Sequence, residues 1–242
     1  MRRGRVTATC AGGRRDGAAV AGQREPVIWL RPEQAQVGRP AERSRAEITA
    51  VAVELADREG LDAVSMRRVA AALGTGAASL YRYVATRDDL LDLMTDSTAA
   101  EYDLPAPSGD WQADLLRVAE QARHIMRRHP WLPGVVITRP TLGPNGADLL
   151  EHVLDVLADH PAQPARKLEA FAILNALTAL FVQNEAAADA PGAQRQAAYL
   201  RHVAQAGHHP RVAALFTTPP EADPPTDRLP AVLIRALAGV LG

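Results

Sequence analysis

Between Gly60 and Val84 the chain reads Gly-Leu-Asp-Ala-Val-Ser-Met-Arg-Arg-Val-Ala-Ala-Ala-Leu-Gly-Thr-Gly-Ala-Ala-Ser-Leu-Tyr-Arg-Tyr-Val, and its polar groups are of the kinds that can grip nucleic acid. Ser79 and Arg82 can hydrogen-bond base edges, Ala77 and Ala78 can lie against a thymine methyl, and the phenols of Tyr81 and Tyr83 can reach phosphates. Ser65 and Arg67 stand at the start of the preceding apolar stripe. If that stripe is a helix, its unpaired N–H groups and positive dipole end attract a phosphate there. Arg87 holds the same position on the next stripe. At about 100° per residue, Leu80 and Val84 mark a buried side, leaving Ala78, Ser79 and Arg82 outward with Tyr81 and Tyr83 on the flanks. From spacing alone, a plain helical hairpin with a solvated Arg and Tyr face fits the same residues.

Other chemistry finds less support. The histidines at 124, 129, 152, 160, 202, 208 and 209 include no His-Glu-x-x-His pattern, and the single cysteine, Cys10, has no partner for a disulfide or a zinc site. No catalytic Ser, Cys or carboxylate pair stands out, so we expect no enzyme, no metal and no cofactor. Trp111 and Trp131 either fill a helical core or line a ligand cavity. Asn175, Thr178 and Gln183 interrupt a strongly apolar stretch. A buried polar group there needs a ligand, a partner subunit or a neighbouring carbonyl.

The elements that position these residues are helical. Of 242 residues 47% are hydrophobic, chiefly Ala, Leu and Val, and only 4% are aromatic, a composition that favours packed helices over sheets. The length suits two modest domains. Residues 1–38 are rich in Gly, Arg and Pro without periodicity and are expected to be a flexible extension, with Trp29 touching the folded part. Residues 1–45 hold ten arginines against four acids although the whole chain carries a net charge of −1. That excess is either a basic arm that helps bind phosphates or a leader outside the folded protein.

From Ser44, the residues Ile48, Val51, Ala52 and Leu55 trace one helical face until Gly60. Ser65 caps a second helix, Gly74 supplies the turn, and a third runs over about Ala77 to Tyr83. Thr86 with Asp89 resembles a capping box for a fourth. We place this unit at residues 39–104. The break from Pro105 to Gly109, followed by Asp110 as a cap, opens a second unit at 105–242. It contains helices over Trp111 to about Arg128, Ala147–Ala158, Ala165–Ala188, Arg195–Ala206, Arg211–Phe216 and 228–241, with a Pro-rich loop from Pro219 to Pro225. The longest apolar run, Ala170 to Val182, is too short to span about 30 Å of hydrocarbon, and the N-terminus lacks a signal-peptide h-region. With one cysteine, a reducing cytoplasmic location is expected.

Residues 44–95 resemble the DNA-binding domain of the TetR family of transcription regulators. The likeness runs through Gly-Leu-Asp-Ala-Val-Ser-Met-Arg-Arg-Val-Ala, then Leu73-Gly74, then Ala-Ala-Ser-Leu-Tyr-Arg-Tyr-Val and Thr-Arg-Asp-Asp-Leu-Leu. Residues 105–241 are similar more weakly, through Trp111, Met126-Arg-Arg-His-Pro-Trp131-Leu-Pro and Leu142-Gly-Pro-Asn. The resemblance implies an all-α fold: an N-terminal three-helix helix-turn-helix domain and a C-terminal helical domain that dimerises and binds an effector. It implies that Ser65 and Arg67 contact phosphates or outer bases, that Ala77, Ala78 and Ser79 read the groove, that Tyr81 and Tyr83 bind backbone, and that Arg87 clamps a phosphate. Arg43 or Arg45 would add a contact. The small alanines at 77 and 78 depart from many relatives and leave sequence preference to Arg82.

The function this implies is a homodimeric repressor that engages a palindromic operator of double-stranded DNA and is released by a small-molecule effector. The interface helices would be about 165–188 and 228–241, and the pocket residues Trp111, Trp131, Asn175, Thr178 and Gln183. No membrane partner is expected. The rival readings are a helical small-molecule carrier and a protein-interaction adaptor, neither of which would bind DNA by sequence.

Overall fold

A computed structural model describes residues 27–32, 43–187, 191–217 and 227–242. Its elements are helices: α1 (Arg45–Glu59), α2 (Met66–Ala72), α3 (Ala77–Leu80), α4 (Arg87–Ala99), α5 (Trp111–Arg128), α6 (Leu132–Thr138), α7 (Pro144–Val156), α8 (Pro164–Ala187), α9 (Pro191–Gln205), α10 (Pro210–Thr217) and α11 (Leu229–Leu241). Short 3-10 turns stand at Ile28–Leu30 and Leu61–Ala63. The described residues contain no strand.

The helix starts follow from local chemistry. Ser44 and Glu47 form a capping box on α1, Thr86 and Asp89 form one on α4, and the Ser65 hydroxyl accepts from the Arg68 N–H. Asp110 accepts from the N–H groups of Gln112 and Ala113 to open α5. Each device satisfies amide groups that an isolated helix end leaves unpaired. Gly60 stops α1 at φ +84°, in the left-handed region that glycine tolerates best.

Among the described residues the buried apolar side chains form two cores. The first joins Ile48, Ala52 and Leu55 of α1, Val69 of α2, Leu80 and Val84 around α3, and Leu90 and Met94 of α4. It continues beyond the boundary expected after residue 104 through Ile125, Met126, Trp131, Leu132, Val135, Ala179 and Val182, so packing runs across that boundary. The second core gathers Leu115 and Val118 of α5, Leu149 and Val153 of α7, Leu174 of α8, and Leu233 and Leu237 of α11. Polar ties reinforce the joint. The Asp57 carboxylate at the end of α1 receives the Trp131 indole N–H at 2.7 Å and faces His129 Nδ1 at 2.8 Å, while His129 Nε2 faces Glu101 at 2.9 Å.

The extension expected over residues 1–38 is not loose throughout. Ile28 is fully buried in the first core, and Trp29 packs so close to Gly143 that a Cβ there would stand 2.4 Å from its ring. Arg31 pairs with Asp89. The remainder of that expectation, residues 1–26 and 33–38, lies outside the described residues, as does the Pro219–Pro225 loop. The α7 helix starts at Pro144 rather than Ala147, since proline is favoured in a first turn, where its missing N–H leaves nothing unpaired.

Candidate functional site

The turn between α2 and α3 is built on Gly74. At φ +67° it lets its own N–H reach Ala71 O at 3.1 Å and the Thr75 N–H reach Ala70 O at 2.9 Å, which closes the C-terminus of α2 and redirects the chain into α3. The α3 helix has four residues, too few to hold itself together, so tertiary packing must hold it. Leu80 and Val84, both fully buried, do so.

The outward face that results carries Ala78, Tyr81 and Arg82, with Ala77 and Ser79 half-buried beside them. Arg82 Nη2 donates to Ser79 Oγ at 3.1 Å, which pre-sets both side chains on one edge. Arg67 is exposed at the start of α2, next to the half-buried Ser65 cap. Its neighbour Arg68 is neutralised by Glu59 at 2.6 Å. Tyr81 and Tyr83 are not equivalent flanks: Tyr81 is 52% exposed, whereas Tyr83 is 9% exposed and its ring belongs to the core. The chain leaves α3 through a tight turn at 81–83, so the 100° spacing that put both phenols outside does not apply there.

Three arginines expected at DNA have intramolecular work. Arg45 donates through Nε to Tyr83 O at 3.0 Å and through its Nη atoms to Ile28 O, Arg31 O and Pro32 O, tying the N-terminal turn to the head. That guanidinium is turned toward the N-terminal turn and away from the exposed side of α3. Arg43 Nη2 donates to Leu73 O at 2.9 Å at the end of α2. Arg87 reaches Val64 O and Leu61 O, each at 3.3 Å, and so locks the start of α4 to the turn before α2.

A second feature lies beside the head: a cavity of about 560 Å³ with a mostly apolar wall. The C-terminal half of α4 supplies Thr95, Thr98 and Ala99, α6 leads into Arg139, and α8 supplies Phe171 and Asn175. Tyr102 also lines it, and burial pushes its phenol well above the usual tyrosine range. Among the described residues its hydroxyl has no hydrogen-bond partner. Asn175 spends its Nδ2 on Phe171 O at 2.9 Å, which leaves its Oδ1 available to the cavity.

Of the five pocket residues expected from sequence, only Asn175 is on this wall. Trp111 stacks edge-on against His160, with ring centroids 5.4 Å apart, beside the second core. Trp131 is committed to Asp57. Thr178 is fully buried but satisfied within its own helix, its hydroxyl donating to Leu174 O at 2.8 Å. Gln183 is exposed, near Gly134. Tyr102 and Arg139 were not singled out from sequence. Both sit just past helix ends, where no periodicity indicates a direction.

Among the described residues no helix is long and apolar enough to cross a membrane.

Residues 48–94 match the family model for bacterial regulatory proteins of the tetR family, and residues 104–240 match that for the tetracyclin repressor-like C-terminal domain. The HTH-type transcriptional repressor DrrR1 of Streptomyces coeruleorubidus is 48% identical over 112 residues, 46% of this chain and 42% of that protein. An HTH-type transcriptional regulator of Saccharopolyspora erythraea is 39% identical over 133 residues, 54% of this chain and 56% of that one. The aligned stretch thus spans about half the length of these relatives. Among solved structures, ActR of Streptomyces coelicolor in complex with (S)-DNPA superposes with a TM-score of 0.70 at 29% identity, covering 84% of this chain and 100% of that one. Its complex with actinorhodin gives 0.68 at 28% identity, with the same coverage.

Proposed function

The chain belongs to the TetR family of bacterial transcription regulators, and from that premise we propose that it is a homodimeric repressor whose α2–α3 face reads a palindromic operator and whose cavity takes a small-molecule effector. The observation that carries this reading is the outward face of α3. Ala78, Tyr81 and Arg82 are presented to solvent on a helix whose other side is pinned by Leu80 and Val84. Small residues let the backbone approach base edges, and Arg82, braced by Ser79, carries the hydrogen-bonding group best suited to guanine. Arg67, Ser65 and Tyr81 serve phosphates. Tyr83, Arg43 and Arg87 act by shaping the head.

The helix α4 supports an effector response. Its Leu90 and Met94 belong to the core of the head, and its N-terminus is tied to the turn before α2 through Arg87, while Thr95, Thr98 and Ala99 line the cavity. A ligand that shifts the C-terminal half of one 13-residue helix moves the reading head. Binding that favours a head spacing unfit for DNA then weakens operator affinity by linkage. That ActR was solved in complex with actinorhodin supports a small molecule as the effector here. The α8 and α11 helices pack on each other, and α8 leaves Leu180 exposed, which supports their use as the dimer surface.

Selection of random duplex DNA by the purified protein, followed by binding of the enriched sequence at several salt concentrations, tests the reading. A palindromic motif whose affinity falls steeply with salt is expected. No enrichment by a folded dimer would overturn it in favour of an adaptor or carrier.

A further inference from the structure

Among the described residues that line the cavity, Arg139 is the only one with a charged side chain. That charge is already engaged. Its Nη2 donates to Asp92 Oδ1 at 2.8 Å, and its Nη1 lies 3.1 Å from Asp88 Oδ2. Both acids sit on α4, in the half that belongs to the reading head. They differ in hydration: the Asp88 side chain is 70% exposed and that of Asp92 only 16%.

One guanidinium and two carboxylates leave this cluster with a surplus of negative charge, so a further anion can be accommodated only by displacing one of those present. We propose that the effector carries a carboxylate or comparable anionic oxygen, and that it competes with Asp88 and Asp92 for Arg139. The proposal rests on the reading that the cavity is the effector site, and it adds the ligand's class and the way binding reaches DNA. The planar fork of the guanidinium matches an oxyanion with two donors at once. The Tyr102 hydroxyl and Asn175 Oδ1 remain for neutral oxygen or N–H groups elsewhere on the ligand. Releasing Asp88 costs little because water already surrounds it. Asp92, left mostly buried without its cation, is the costly member, and α4 relieves that cost by moving until Asp92 is hydrated. Ligand and the latched position of α4 therefore exclude each other, which is the antagonism a repressor needs.

Calorimetric titration of the full chain with anthraquinone-2-carboxylate and with its neutral counterpart, anthraquinone-2-carboxamide, tests this. The carboxylate is expected to bind the unaltered protein about tenfold more tightly. Arg139→Gln should abolish that preference, and Arg139→Lys should restore part of it. Asp92→Asn should tighten the carboxylate several-fold and leave the amide unchanged, a selective gain that a merely structural role would not produce. Asp88→Asn, at the exposed partner, gives the same readout should Asp92→Asn fail to fold. Equal binding of the two probes, or a preference that survives Arg139→Gln, overturns the proposal and leaves the cavity as an effector site. Binding of neither probe to the folded protein overturns both.

Discussion

The α2–α3 face and the cavity domain use arginine in opposite ways. On the head, Arg67 faces solvent with no partner among the described residues, and Arg82 is tied only to a neighbouring hydroxyl. In the cavity domain Arg123 lies between Glu185 and Asp227, and Arg139 between Asp88 and Asp92. An exposed, uncompensated cation is what a polyanion can recruit. A compensated one holds helices in register and yields its partners only to something that replaces them. The uncompensated arginines of the α2–α3 face suit the recognition proposed for them, whereas arginines that hold elements in register occur in both halves, Arg45 and Arg87 in the head and Arg123 and Arg139 in the cavity domain, and α4, which belongs to both halves, is where the two meet.

That contrast can be broken from either side. The largest effect is expected from Leu80→Ala, which empties the pin beneath α3. It should lower the free energy of unfolding by about 2–5 kcal/mol, read by urea titration, with DNA binding falling further than binding in the cavity. Arg82→Ala should cost roughly 1–3 kcal/mol at one base position and relax sequence preference there, with probe binding in the cavity unchanged. Equal losses on all sequences would instead make Arg82 a phosphate contact. Arg67→Ala should weaken binding to every duplex alike and reduce the salt slope by about one, which a fluorescence anisotropy series in salt would read.

Acid attacks the other half. Asp114 is buried, which pushes its carboxyl up, but the Ser108 N–H at 2.7 Å and Arg117 outweigh burial and hold it below the ordinary range. Glu185 and Asp227 are likewise desolvated yet held low, Glu185 by Arg123 and Arg127 and Asp227 chiefly by Arg123. Carboxyls with depressed folded values stabilise above their unfolded pKa of about 4 and lose that contribution as the pH falls through the folded values. The urea midpoint should hold between neutral pH and about pH 5 and then decline, and Arg123→Gln should flatten the decline. The smallest effect is expected from Thr178→Val. Its hydroxyl is satisfied within α8, so unfolding should change by about 1 kcal/mol or less and probe binding not at all. A loss of probe binding would return Thr178 to the cavity wall.

The head was legible where its devices are local. The Ser65 cap, the Thr86 and Asp89 box, the left-handed Gly74 and the inward Leu80 and Val84 all depend on residues within about four positions of one another, and each appears as read. What the sequence hid depends on distant groups. Tyr81 and Tyr83 are the same residue type two positions apart, and only the packing of the core decides that one is buried. Arg45 reads as a basic residue beside a DNA-binding unit until the carbonyls of Ile28, Arg31 and Pro32 close around it.

The cavity was the least legible feature. Polar residues inside an apolar helix point toward a pocket only if the helix cannot satisfy them itself, and Thr178 is satisfied by its own helix. The indole of Trp131 finds its partner 74 residues away in Asp57, and Arg139 finds Asp92 across a gap of 47. The order of helices, their caps and the residue types of the reading face were determined by the sequence itself, because helix periodicity and capping are short-range chemistry. Which arginines remain free, which tyrosine faces solvent and which side chains enclose the cavity were decided only by the tertiary structure. Burial and ion pairing are set by groups that folding, not chain proximity, brings within a few ångströms.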